Sequence, residues 1–528
     1  GAVTQSATGS VTANALQVTA RDNSDLLTAT NDVGTLAASI TGSAQRLRYA
    51  DANALTIGTV TTDGIVTKGG EISVTTGGDL TVAKAVNSTN ATVAGANVTL
   101  RATTGSVLDN AAINAGTAGT LTLQADTGAV TQSATGSVTA NALQVVAQNT
   151  SSLGVSSNDV GTLATNITGL NQDVTYRDAN ALTLGTVTAN GITTSGLTTH
   201  GGLATLQVGG NLGQGTTGLV NTAKLQVLSS GAVDLSQVNN QIAQVAGQSS
   251  GDFHVRSSTS LAVASLGGTN GITSGGHAMI ESDQDVSLLR AVIANGSGNA
   301  AVIRAGARFN NLASPGNLAI QTPNGRWIVY DNNPELEEKD MGGLPRNVLL
   351  LETRYEDRPP SQVTETGNVY VTTSVTSKPE ANRQSVPAGA PVDLVMGGVP
   401  APAYAPSSWA APGMTASSTG SVPDSSAAQF ASMGALGSLN VPVLIQVAAR
   451  PHFHVSLGNL AAAGHIESIQ GGDGQAAPAW LHLDTQALSL YGTVPANERG
   501  ELPLLLNVRD TGQKPRQVKV LLNLNGGT

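Results

Sequence analysis

The stretch GAVTQSATGSVTANALQV, at residues 1–18, decides the fold, because it returns without a single change at residues 128–145. Neither copy carries a charged or an aromatic side chain. The offset between the copies (128 − 1 = 127) also holds for two later segments: NDVGTLA, from Asn31 and Asn158, and DANALT(I/L)GTV, from Asp51 and Asp178. Repetition of this kind indicates a shape that is built twice, and not a reactive site that was copied.

A shorter period lies inside each module. Apolar-x-apolar triplets recur every 18 to 25 residues and are separated by Gly, Asn, Asp and Ser, which favour turns. The triplets begin at Leu16, Leu36, Leu55, Leu80, Val98, Leu121 and Leu143. Short strands at this period are typical of β-solenoids. Leucine-rich repeats share the period, but the frame L-x-x-L-x-L-x-x-N is not found.

The composition favours the same fold. Charged residues make up 11% of the chain, against a usual ~25%, while Thr and Val favour strands. The first 250 residues contain two aromatic residues, Tyr49 and Tyr176, as a narrow interior filled by Val, Leu, Ile and Ala requires. We predict roughly sixteen stacked coils up to Tyr330, and hence a rod of ~75–80 Å.

The chain divides into three parts. An all-β solenoid is predicted for residues 1–345, a Pro-, Ala- and Ser-rich linker with sparse strands for 346–440, and a small β-sandwich of six short strands for 441–528. The first Trp and a burst of charge occur in GRWIVYDNNPELEEKD, residues 325–340, which we predict to cap the terminal coil.

Several classes of function are excluded by composition. The net charge is −10 and no Lys/Arg patch is present, which argues against nucleic-acid binding. The sequence contains no apolar run of ~20 residues, so no membrane-spanning helix is predicted. The absence of cysteine excludes disulfides and thiolate metal sites and leaves the compartment open. The first residues lack the features of a signal peptide and fall inside a repeat, so we expect a fragment or a processed product.

Three motifs carry a resemblance to a known family. NDVGTLA, YRDANALTLGTV followed by NGI, and GRWIVY resemble the C-terminal region of filamentous-haemagglutinin-like exoproteins of two-partner secretion, over roughly residues 1–345. These are adhesins on the surface of Gram-negative bacteria or released from it. The resemblance implies a right-handed parallel β-helix, an extracellular or cell-surface location, and an outer-membrane transporter as export partner. Adhesion, aggregation and biofilm formation are the implied roles.

A second resemblance concerns the C-terminal part. PAWLHLD, LYGTVP and LLLNVRDTGQ, from Pro478, Leu490 and Leu504, resemble the cadherin-like and Ig-like domains of bacterial surface proteins. This implies that Trp480 is a core anchor. Val494 interrupts the Gly-Thr-Pro pattern of those domains, and the acidic cluster of calcium-binding cadherins is thin, so calcium is not expected.

Two patterns could indicate catalysis. GQSSG at residues 247–251 matches G-x-S-x-G, but a nucleophile elbow needs a following helix, and none is predicted. Asp51 and Asp178 could be paired carboxylates, but a whole module, about six coils or ~29 Å, separates them. General acid–base pairs need ~5–9.5 Å, so we predict that both carboxylates cap turns.

Three further patterns could hold a ligand or a modification. His452 and His454 lie two apart on one predicted strand and could bind a metal, but no further ligand is placed beside them. The acidic run at residues 334–340 could bind a cation and is predicted to be a solvated cap. Three sequons begin at Asn87, Asn90 and Asn97, and in a chain this rich in Asn, Ser and Thr they are expected by chance.

The sequence therefore predicts a non-enzymatic extracellular stalk, with no catalytic, cofactor or metal residue and no assignable ligand residue. Extracellular polysaccharide, a host surface or further copies of the chain are the expected partners. Three alternatives stay open: a self-assembling matrix or sheath filament, a β-helix polysaccharide lyase or hydrolase, and an ice-binding solenoid suggested by the Thr-rich residues 59–67.

Overall fold

The computed structural model describes residues 1–375 without a break. Further along, it describes residues 377–378, 415–418, 443–447, 452–456, 464–471, 475–485, 489–493, 495, 501–510 and 516–523. The chain divides into two compact units, Gly1–Glu380 and Ala381–Thr528.

The first unit consists of short strands joined by turns. The first half of its strands are β1 Thr12–Ala20, β2 Ser24–Leu26, β3 Asp32–Ser43, β4 Leu47–Asp51, β5 Leu55–Ile57, β6 Ile65–Lys68, β7 Ile72–Thr76, β8 Leu80–Val82, β9 Val86–Asn87, β10 Val98–Ala102, β11 Val107–Asp109, β12 Ala112–Ala125, β13 Val130–Gln132, β14 Ser137–Ala147, β15 Ser151–Leu153, β16 Asp159–Leu170, β17 Val174–Asp178, β18 Leu182–Leu184, β19 Thr186–Ala189, β20 Ile192–Ser195 and β21 Leu197–His200.

The second half are β22 Leu203–Val208, β23 Leu212–Gln214, β24 Val220–Ser229, β25 Val233–Leu235, β26 Gln241–Ser249, β27 Phe253–Ser257, β28 Leu261–Val263, β29 Ser265–Leu266, β30 Thr269–Asn270, β31 Ile272–Ser274, β32 Ala278–Ser282, β33 Val286–Leu288, β34 Val292–Ala294, β35 Gly298–Ala305, β36 Phe309–Asn311, β37 Ile320–Gln321, β38 Gly325–Asp331, β39 Leu336–Glu337, β40 Val348–Leu350, β41 Val369–Thr372 and β42 Ser377–Lys378. The described helices are three short 3-10 turns, Gly316–Leu318, Glu338–Met341 and Pro360–Gln362.

Parallel pairing stacks these strands into a β-solenoid of about sixteen turns, which confirms the predicted fold class. One column of pairs is unbroken from the bridge between Thr4 and Asp25 to the pair between Ile328 and Val369. Its strands, in order, are β2, β4, β7, β10, β12, β14, β16, β18, β23, β25, β27, β32, β35, β38 and β41. Fifteen steps of ~4.8 Å give a stack of about 70 Å.

Strand alternation fills the interior of the stack. In β4, Leu47, Tyr49 and Asp51 are buried, while the two residues between them face outward. Most of the buried apolar residues form one continuous cluster from Val18 to Tyr370, and two smaller clusters accompany it. Some turns pack so closely that only glycine fits: a Cβ on Gly77 would lie 1.8 Å from the carbonyl oxygen of Ala52 in the turn below.

Coil length varies along the stack. The partner of Val245 in the next coil is Val263 (263 − 245 = 18), whereas the partner of Thr165 is Leu197 (197 − 165 = 32). The longer coil contains the antiparallel hairpin β19–β20, and a smaller hairpin, β29–β30, leaves a later coil in the same way.

The end of the first unit differs from the predicted boundary at residue 345. Strand β38, which carries Trp327, is an inner rung, because β35 pairs with it on one side and β41 on the other. Strand β40 then pairs with β41. Residues 346–375, assigned to the linker from their proline content, therefore belong to the solenoid unit, which ends at Glu380. The cap predicted at residues 325–340 is followed by a further rung.

The second unit contains two described sheets. The five-stranded sheet has the order β43 Thr415–Ser418, β44 Val443–Val447, β50 Arg516–Asn523, β49 Glu501–Asp510 and β46 Gly464–Gly471; the three-stranded sheet has the order β45 His452–Ser456, β48 Ser489–Thr493 and β47 Leu481–Asp484. Strand β46 was not among the six predicted. Trp480, expected as a core anchor, is half-buried. Most of the predicted linker, residues 379–414 and 419–440, lies outside the described residues.

Candidate functional site

Asp51 and Asp178 are buried acceptors of hydrogen bonds, 4% and 2% exposed. The carboxylate of Asp178 accepts from the Tyr176 hydroxyl at 2.8 Å, the Val160 N–H at 3.0 Å and the Asn180 N–H at 2.9 Å. Burial raises the pKa of Asp178, and burial beside this carboxylate raises the pKa of the Tyr176 hydroxyl well above its usual value.

The first copy repeats this arrangement. Asp51 accepts from the Tyr49 hydroxyl at 2.7 Å, the Val33 N–H at 3.0 Å and the Asn53 N–H at 3.0 Å. At least five rungs, about 24 Å, separate the two carboxylates, which is too far for them to act on one substrate. Each carboxylate holds its own turn to the turn below.

A Gln–Asn pair shows that one segment of the module occurs a third time, at about residues 214–257. Three glutamines, each 26 residues before an asparagine, donate to that side chain: Gln5 to Asn31 at 2.6 Å, Gln132 to Asn158 at 2.9 Å and Gln214 to Asn240 at 2.6 Å. The third copy keeps the spacing between Gln and Asn, a Thr-Gly pair that begins three residues after the Gln, and the triplet Leu-Gln-Val at Leu225–Val227, and these scattered matches were the available signal.

The same modules anchor surface hairpins through a second glutamine. The buried Gln144 amide donates to the Ile192 carbonyl at 3.0 Å and the Thr194 hydroxyl at 3.0 Å in hairpin β19–β20. Gln226 contacts Gly267 and Thr269 around hairpin β29–β30 in the same way. In the first copy, the side-chain carbonyl oxygen of Gln17 accepts from the backbone of the loop at residues 61–62.

The G-x-S-x-G serine lies within strand β26. The Ser249 hydroxyl donates to the Gly251 carbonyl at 2.8 Å and is 8% exposed. Strand β26 pairs in parallel with its neighbours, and the chain then turns into strand β27. Ser249 therefore ties a turn, as Ser229 does one rung below through the Gly210 carbonyl.

The sequons form local turns. The side-chain oxygens of Asn87 and Asn90 accept from both the N–H and the hydroxyl of the Thr two residues on, at 2.7–2.9 Å. The Asn97 side chain accepts from the Thr120 N–H in the next rung at 3.0 Å. All three asparagines thus stabilise the backbone.

The remaining candidates are placed as follows. His452 and His454 lie on strand β45, paired with Thr493 and Tyr491, and their side chains are outside the described part. In the acidic run at 334–340, Glu338 forms an ion pair with Arg346 at 2.8 Å. Within the described ranges, no three His, Asp or Glu side chains converge on a point that could hold a metal ion.

A polar groove of about 350 Å³ crosses four rungs of the solenoid. Arg177, Gln207, Leu228 and Gln248 are register partners on successive strands β17, β22, β24 and β26, so they form one outward column along its floor. Ser156 and Ser230 line its sides. We name these six residues the polar groove.

A second cleft, of about 200 Å³, lies near the end of the unit beside the loop at residues 351–365. Arg304 joins Glu281, Asp283 and Glu356, the last at 3.0 Å, and its guanidinium lies 5.0 Å from the centre of the Tyr355 ring. These neighbouring carboxylates hold the pKa of Arg304 above its usual value despite burial. The charges of Arg304, Glu281, Asp283 and Glu356 are thus satisfied by one another, and the pair between Arg304 and Glu356 holds the loop to the solenoid.

Two further results complete the description. No helix in the described parts of the chain is long and apolar enough to cross a bilayer. Comparisons with protein-family models, with curated proteins and with solved structures gave no match to this chain.

Proposed function

We propose that this chain is a non-enzymatic structural part of an extracellular bacterial adhesin of the filamentous-haemagglutinin type. The β-helical stalk projects from the cell, and the C-terminal β-sandwich or the surface of the stalk contacts polysaccharide, a host surface or another copy. Export through a dedicated outer-membrane transporter belongs to the same proposal. The motifs NDVGTLA and GRWIVY and the absence of cysteine support it.

One observation carries the proposal: the unbroken column of parallel pairs from Thr4 to Val369. A column of paired backbone over a continuous apolar core resists bending, because every rung is fixed to the one below by several hydrogen bonds. The buried polar groups Asp51, Asp178 and Asn158 are bonded to turns, where they strengthen the stack. A long, stiff element of this kind is suited to reach.

The duplicated module allows a direct test of reach. Deletion of residues 50–176 joins Tyr49 to Arg177 in the register shared by the two copies, retains Arg177, and shortens the stack by about five rungs, or about 25 Å. Beads that carry either chain at equal density are allowed to attach to bacteria, to epithelial cells and to polysaccharide through polymer layers of increasing thickness. The short variant is expected to lose attachment at a layer that is thinner by the height of the deleted rungs.

Four outcomes would contradict the proposal. If the beads attach to none of these surfaces, the proposed role in adhesion is wrong. If the two chains attach through polymer layers of the same thickness, the proposed role of the stalk in reach is wrong. Release of sugar products from polysaccharide would show an enzyme. Filaments of the purified full chain in electron micrographs, without attachment, would favour the self-assembling matrix alternative.

A further inference from the structure

We propose that the polar groove binds an acidic glycan that lies along the stalk and whose carboxylate forms an ion pair with the Arg177 guanidinium. This names a ligand class for the adhesive surface and so rests on the proposed function, but the binding is measured in solution and does not require attachment. The groove spans four rungs, so about 14 Å separates the first residue of its floor from the last.

The first reason is the state of Arg177. Its side chain is exposed, and no carboxylate in the described part of the chain lies within ion-pair distance of it. By contrast, Arg46, Arg101 and Arg256 pair with Asp25, Asp126 and Asp283 at 2.6–2.9 Å. An unpaired guanidinium in a chain of net charge −10 attracts an anionic ligand and can bind a carboxylate through two parallel hydrogen bonds.

The second reason is the difference between the two module copies. Ala50 occupies the position of Arg177 in the first copy (177 − 50 = 127). Its partners on the next two rungs are Thr75 and Arg101, and Arg101 is neutralised by Asp126. The strand that carries residue 50 or 177 is thus the same in both copies, whereas the rungs stacked on it differ, and only the second copy combines an open cation with the Gln207 and Gln248 amides.

The third reason is the chemistry of the floor. The Gln207 and Gln248 amides make no side-chain hydrogen bond within the described residues, so their donors and acceptors are open to ligand hydroxyl groups. Leu228, between them, offers an apolar contact for the face of a sugar ring. One cation in four rungs suits a ligand of sparse charge, whereas a nucleic acid calls for many phosphate contacts.

Calorimetry with the full chain tests the proposal. The probes are a trigalacturonate, a neutral galactotriose of the same length, and a short polyglutamate. We expect the trigalacturonate to bind and the galactotriose to bind at least tenfold more weakly. Arg177→Ala, which installs the residue that the first copy already tolerates, should weaken trigalacturonate binding about tenfold or more. Gln207→Leu should weaken it several-fold.

The matched control is Ala50→Arg, which adds a cation at the equivalent position without the amide column and should leave the affinity unchanged. No binding of trigalacturonate at about 1 mM, or equal binding by Arg177→Ala, would overturn the inference. Binding of polyglutamate that depends on Arg177 but not on Gln207 would assign the groove to an acidic peptide and also overturn it. Loss of bead attachment with intact binding in solution would count against the proposed function alone.

Discussion

Replacing Asp178 by alanine tests whether the buried carboxylates hold the turns of the stack. The substitution leaves three donors without an acceptor: the Tyr176 hydroxyl and the N–H groups of Val160 and Asn180. A buried donor without a partner costs about 1–3 kcal/mol, and partial access of water to the turn reduces the sum of the three costs. We therefore expect a loss of about 3–6 kcal/mol in the local stability of these two rungs.

A stack of this kind opens locally, so the effect is measured locally. Hydrogen–deuterium exchange followed by mass spectrometry should show exchange of the amides at 159–181 accelerated by about a hundredfold or more, since about 1.4 kcal/mol corresponds to a factor of ten. The equivalent peptide of the first copy, around Asp51, serves as an internal reference within the same molecule.

Asp159→Ala is the matched control, because Asp159 is exposed and lies on the same two rungs. It should leave exchange unchanged within a factor of two or three. If Asp178→Ala and Asp159→Ala exchange alike, the carboxylate does not hold the turn, and the structural role assigned here to Asp51 and Asp178 is wrong.

Other buried side chains give three more predictions. Burial raises the pKa of Asp109 to about 7, so as the pH rises from about 4 to 7 the carboxyl ionises in the unfolded chain before it does in the folded chain, and stability is lost. Asp109→Asn should therefore raise the free energy of unfolding in urea at pH 8 by at most about 4 kcal/mol, with no gain at pH 4. Gln144→Ala should free the hairpin at 186–195 and speed exchange there by tenfold or more, while the hairpin at Gly267 keeps its protection. Trp327→Ala should cost about 3–5 kcal/mol in the terminal rungs by urea unfolding, whereas Trp327→Phe should cost far less, because the indole N–H has no acceptor within the described residues.

Much of the fold could be predicted because each coil contains short strands in which apolar and polar residues alternate, and these strands recur at a regular interval. The triplets at Leu55, Leu80 and Leu121 each lie in strands of the stack, and the number of coils agrees with the structure. The terminal rung was assigned to a linker with sparse strands because of its prolines. Pro345 precedes strand β40, and Pro359 and Pro360 lie between β40 and β41, and this composition resembles that of the linker that follows.

The third copy was not predicted because it shares only separate letters and the triplet LQV with the first two, so no long stretch repeats: Val220 and Leu225 match Val11 and Leu16, but most residues between them differ. Ser257 takes the place of the module aspartate: its hydroxyl oxygen accepts from the Ile242 N–H at 3.0 Å, as Asp51 accepts from Val33 and Asp178 from Val160. A serine and an aspartate can accept the same hydrogen bond in this turn, but a comparison of residue identities does not match them.

The polar groove could not be predicted from the sequence. Its floor joins Arg177 to Gln207 (207 − 177 = 30), then to Leu228 (228 − 207 = 21) and finally to Gln248 (248 − 228 = 20). These intervals depend on the excursions that each coil makes, and a local pattern does not record them. Lateral neighbours in a solenoid therefore become known only when every coil length is known.

The stacked coils also bear on how the molecule would respond to pulling. Each coil holds about 24 residues, or about 80 Å of extended chain, within less than about 5 Å of height. A coil that peels from the end under load would lengthen the tether more than tenfold over its own thickness while the coils beneath stay closed. With no cysteine cross-link to stop the process, the stack would yield one step at a time and dissipate work at each step, so that a load applied at one end of the stack would be reduced before it reached the other.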